Sequence, residues 1–78
     1  MSPSHCAEKI RFWADRALTT RERLAQVQAM DPLEIEGKNI LPRTIQTLEA
    51  QIETYDERTK YWAMRYRAAL TTYRRRAA

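Results

Sequence analysis

The sequence predicts an α+β fold that is mostly α: two antiparallel helices joined by a short β-hairpin, with the second helix long. Three observations carry this reading. An unbroken apolar heptad runs from Ile45 to Tyr73, and a looser helical stripe fills residues 6–30. Between them, apolar and acidic residues alternate next to the chain's one glycine, Gly37.

The first helix is expected over about residues 6–30. Ile10, Trp13, Ala14, Ala17 and Leu24 recur at helical spacing, with Leu18 and Val27 at the edges, and no proline or glycine interrupts them. Arg21 and Gln28 fall within the stripe, and Phe12 points to nearly the opposite side as surface apolarity or a partner contact. Asp31-Pro32 ends the helix, because a residue before proline is pushed out of the α region.

Residues 33–41 read as strand, turn, strand. With Gly37 and Lys38 as the turn, Ile35 is expected opposite Ile40, on a face that must pack against a helix. The second helix is expected over about residues 42–76, opened by Pro42 or capped by Thr44. Its seam is Ile45, Leu48, Ile52, Tyr55, Thr59, Trp62, Tyr66, Ala69 and Tyr73, alternating steps of three and four. Helices of those lengths span roughly 40 and 50 Å. Folding back around Gly37 brings Trp13 near Trp62 and position 6 near residue 68, and leaves the end of the second helix overhanging.

Seventy-eight residues make one domain, which buries only about 60% of its unfolded surface. Such small folds lean on disulfides, metals or association. One cysteine, Cys6, and one histidine, His5, make neither an internal disulfide nor a closed zinc site, which leaves association. The lone thiol fits a reducing compartment. Nothing approaches the ~18 apolar residues of a membrane span, and residues 1–6 lack a signal-peptide pattern. No membrane contact, cofactor or metal is expected.

Nor is an enzyme expected. His5 sits in what reads as a loose end, and no phosphate loop, nucleophile elbow or metal motif occurs. The charge pattern is more informative. The net charge of +4 divides into +2 over residues 1–30, −2 over 31–41, −3 over 42–57 and +7 over 58–78. Glu49, Glu53 and Glu57 stand four apart, a spacing that mildly destabilises a helix unless an opposite charge meets it. They read either as acids favoured near a helix N-terminus or as an acidic face between subunits; Asp56 can pair with Lys60. The far end carries Arg65, Arg67, Tyr73, Arg74, Arg75 and Arg76. Basic residues complement a helix C-terminus, but seven without an acid point to a partner surface, either acidic protein or phosphate backbone.

The run Leu33-Glu-Ile-Glu-Gly-Lys-Asn-Ile-Leu-Pro-Arg-Thr44, followed by Ile45-Gln-Thr-Leu48, resembles the centre of the gpW-like head-completion proteins of tailed bacteriophages. The likeness covers roughly Ile10 to Arg65. It implies a small α+β domain and a structural role in the virion neck, assembled in the host cytoplasm. Copies would form a ring beneath the portal protein, extend the DNA channel and prepare a surface for neck or tail-completion proteins. The Gly37 hairpin and the basic C-terminal segment would be contact elements. The heptad runs further here than the short second helix of that family. A second expectation is a small non-specific nucleic-acid-binding protein using the basic helix.

Overall fold

The computed structural model describes residues 2–31, 34–35 and 38–77, with side chains for residues 2–31 and 39–76. It is a helical hairpin of 66 × 14 × 13 Å. Helix α1 covers Pro3–Gln28, strands β1 and β2 are Glu34–Ile35 and Lys38–Asn39, and helix α2 covers Leu41–Ala77.

Helix α1 begins three residues earlier than expected because Ser2 and Pro3 form an effective start. The Ser2 hydroxyl accepts the His5 N–H at 3.2 Å, and Pro3 occupies a first-turn position that needs no N–H. His5 is therefore part of a helix rather than a loose end. Helix α2 opens at Leu41, whose N–H donates to the Asn39 side-chain oxygen at 3.1 Å. Pro42 fits the first turn as anticipated. Thr44 is not a cap: it lies inside the helix, and its hydroxyl donates to the Ile40 carbonyl at 3.1 Å.

The expected α+β class is overturned. Two helices of 26 and 37 residues make the fold, and between them the described residues form only two strands of two residues each. So short a pairing has no face to pack, since even longer isolated hairpins are marginal. Its register also differs. Ile35 pairs with Lys38 and Glu34 with Asn39, so Lys38 is a strand residue and Ile35 does not face Ile40. Gly37 lies outside the described residues.

The helices run antiparallel: His5 meets Trp62 and Trp13 meets Tyr55, while the long Arg21 side chain reaches along the hairpin to Asp56. Trp13 was expected beside Trp62 but packs one heptad earlier. The reason is where the chain turns back. The midpoint between the end of α1 and the start of α2 falls at residues 34–35, not at Gly37. Pro3, rather than Cys6, is the residue that shares a groove with Ala68.

The α2 seam is as predicted from Ile45 to Ala69, every member half-buried, while Tyr73 is exposed. On α1 the seam is Cys6, Ile10, Trp13, Ala17, Thr20, Leu24 and Val27, also alternating steps of four and three. Ala14 and Leu18 are exposed instead of belonging to it. Thr20 can occupy the seam because its hydroxyl donates to the Arg16 carbonyl at 2.8 Å, leaving no orphan polar group. Thr59 does the same to Tyr55 at 2.8 Å.

Two helices bury only the strip where they face one another. Among the described residues, Cys6 (0% exposed), Ala17 (2%) and Thr20 (7%) alone are fully buried. The chain keeps 6462 Å2 of accessible surface. A folded monomer of its 9.3 kDa is expected to keep about 5,000 Å2. The one ion pair among the described residues, Arg21 with Asp56, is substantially exposed on both sides. Packing therefore dominates stability. Trp13→Ala is expected to lower the unfolding free energy by about 3 kcal/mol. Arg21→Ala should cost less than about 1 kcal/mol, and less again at high salt. Urea denaturation followed by far-UV circular dichroism measures both.

Candidate functional site

Because α2 has 37 residues to α1's 26, its last turns run past the first turn of α1. The expected basic end lies there. Arg65, Arg67, Arg74, Arg75 and Arg76 are all exposed, as is Tyr73 at 64%. None of these arginines makes an ion pair with a described residue.

At the point where α1 begins, Ser2 and Pro3 close one side of an open groove of about 510 Å3 along α2. Ala68, Ala69 and Thr72 make its floor, Tyr73 a wall, and Arg65 and Arg76 stand at its ends. Arg76 lies eleven residues beyond Arg65, which corresponds to roughly 16 Å along the helix axis. The small side chains are what open the groove. Its chemistry is that of a shallow cationic trough with one aromatic wall, suited to an extended anionic partner.

The acidic residues lie at the other half of α2. Glu49, Glu53 and Glu57 are exposed and, at steps of four, share one side of the helix. Asp56 is not part of that surface. It pairs with Arg21 across the hairpin, not with Lys60 as expected, because its position turns it toward α1. The acidic face and the basic end thus occupy the two halves of one uninterrupted helix. The turn residues named from the sequence do not join either surface: Lys38 is in β2, and Gly37 lies outside the described residues.

Several features were not read from the sequence. Trp13 lies against Tyr55, with ring centroids 5.8 Å apart and planes 28° apart, and the Arg58 guanidinium carbon sits 4.4 Å from its ring centre. Arg58 is thus already engaged within the fold, unlike the arginines nearer the C-terminus. Phe12 packs edge-on to Trp13 at 4.9 Å and carries Arg16 4.8 Å over its ring. It lines a second open groove of about 490 Å3 with Arg16, Thr19, Arg23, Gln51 and Tyr55. The spacing of Phe12 and Arg16 at i and i+4 was a usable signal for this pair. Arg58 over Trp13 had none, since it depends on how the helices align.

Among the described residues, no three His, Cys, Asp or Glu side chains gather as a metal site, and no helix is long and apolar enough to cross a membrane. His5 packs edge-on against Trp62, with centroids 5.6 Å apart. Comparison with family models, curated proteins and solved structures found no match to the chain.

The groove depends on the first turn of α1 staying against α2, and Cys6 reports on that contact. Its fully buried thiol should react with an aromatic disulfide reagent far more slowly in native buffer than in denaturant. A native rate equal to the denatured one would mean that this end of the hairpin opens freely.

Proposed function

We propose that this chain is a non-catalytic structural adaptor of a tailed-phage head–tail junction. Copies arranged in a ring would contact the portal protein on one side and neck or tail-completion proteins on the other. The observation that carries this reading is the overhang of α2: a basic, aromatic helix end that extends beyond α1 and has no intrachain ion pairs among the described residues. A free-standing enzyme or ligand carrier needs an enclosed site, whereas an adaptor needs extended surface at its ends. The likeness of residues 33–48 to gpW-like proteins supplies the choice of assembly. The thin seam supports it independently, because such a chain gains stability by packing against larger partners.

The trough between Arg65 and Arg76 favours a second reading, non-specific binding of a nucleic-acid backbone. One experiment separates the two. A tagged chain is used to capture proteins from source lysate with and without nuclease, alongside a variant with Arg74, Arg75 and Arg76 changed to Ala. The adaptor reading expects portal or neck proteins to be recovered despite nuclease, and to be lost with the triple variant. Capture that disappears entirely on nuclease treatment would overturn it. The nucleic-acid reading expects oligonucleotide binding that weakens steeply between about 50 and 200 mM salt. No binding at the low end would end that reading.

A further inference from the structure

A second heptad stripe lies on α2 opposite the seam that packs on α1, bordering the groove closed by Ser2 and Pro3 only at Ala68. It runs from Thr47 to Thr71 in alternating steps of three and four, and every residue along it is exposed. Near its middle stand Tyr61, 52% exposed, and Met64, 70% exposed. Ala50 and Ala68 lie to either side, small enough to let another helix approach closely. Positions spaced in this way form a continuous strip opposite the strip that packs on α1.

We infer that this outer strip is the interface of a symmetric dimer, in which α2 of a second copy packs against it in the antiparallel sense. The inference concerns the free protein and does not rest on the adaptor reading.

Charge identifies the occupant. Residues 42–57 carry −3 and residues 58–78 carry +7, so α2 changes sign between Glu57 and Arg58. Its midpoint, between Leu41 and Ala77, is residue 59. A two-fold axis near that residue lays the acidic stretch Glu49–Glu57 over residues 61–69 of the other copy, which carry Arg65 and Arg67, while Arg43 and Arg75 come level with each other at the ends. A parallel copy would set like charges together. Few unlike partners would match a helix whose sign reverses at its own centre; a second copy matches it by construction.

The register follows. With Leu41 of one copy level with Ala77 of the other, Ala50 is level with Ala68, Thr54 with Met64, and Glu57 with Tyr61. Small residues thus meet small residues, and the larger side chains fill the centre. Glu53 and Arg67 flank the strip on the same side, two residues from level, and antiparallel packing brings them together across it. Lys60 comes beside Glu57 of the other copy and offsets the two lysines that approach near the axis.

The chain exposes roughly 1,500 Å2 more than a monomer of its mass usually does, which leaves room for a standard interface of about 800 Å2 on each partner. An overlap of the full 37 residues extends about 55 Å.

The test is analytical ultracentrifugation of the purified full chain, with circular dichroism on every variant. The wild type is expected to sediment at twice its 9.3 kDa mass, with association weakened by salt. Met64→Glu should weaken dimerisation by at least about tenfold without loss of helix. Glu53→Arg and Arg67→Glu should each weaken it several-fold, and the two changes in one chain should restore it, because each copy then again meets an opposite charge. A monomer at all concentrations overturns the inference. So does a dimer indifferent to Met64→Glu, which would place the contact on another face. A double reversal no better than the singles overturns the antiparallel register, and this comparison stays decisive even if the Met64 variant unfolds.

Discussion

The packing of Trp13 between the two helices is the interaction on which the rest depends. The indole lies along Tyr55 of α2, takes the Phe12 ring at its edge, and carries the Arg58 guanidinium over its face. Cation–π and aromatic contacts of this kind add to the area they bury. They fix how far one helix is slid along the other. That single offset determines that His5 reaches Trp62, that Pro3 stops beside Ala68, and that the arginines beyond it overhang. On α1 away from Trp13, the seam is built from small and medium side chains, Cys6, Ala17, Thr20 and Leu24 among them, that tolerate sliding more readily.

A two-helix hairpin cannot enclose a core, and this has a direct functional consequence. Apart from Cys6, Ala17 and Thr20, the seam residues have a neighbour on one side and solvent on the other, and are half-buried. Stability is then thin, and the molecule is nearly all surface. What distinguishes one part of that surface from another is the charge pattern and the few exposed aromatic and thioether side chains. On α2 these are acids in its first half, Tyr61 and Met64 near its middle, and Tyr73 with the arginines at its end, while α1 exposes Phe12. A long helix presents them in a line, an arrangement suited to grasping another elongated element.

Where sequence reasoning succeeded and failed has a physical pattern. The α2 seam was legible because its members are apolar or aromatic and their spacing is a property of the helix itself. The α1 seam was only partly legible, since Cys6 and Thr20 do not count as apolar, yet the helix accepts them: a thiol packs as a small hydrophobe, and a threonine hydroxyl satisfies itself on the preceding turn. The hairpin was over-read. Alternating Leu33 to Glu36 matches a strand period, but a β face needs length and something to rest on, and helix capping at Asn39 drew the following residues into α2. The basic end was legible as a run of arginines, and those arginines and Tyr73 are exposed. Its groove was not, because that surface is completed by Ser2 and Pro3 from the far end of the chain.

By itself, then, the sequence determined two helices, the inner face of the second, and the separation of charge along it. Those are consequences of local spacing and composition, which no distant contact is needed to establish. The offset between the helices was decided only in three dimensions, and with it the choice of Arg21 over Lys60 as the partner of Asp56, the engagement of Arg58 by Trp13, and the groove beneath Arg65 and Arg76. A heptad repeats every seven residues, so several alignments of two such seams satisfy the same pattern. What chooses among them is the fit of particular large side chains and the length of the turn, and both exist only once the chain has folded back on itself.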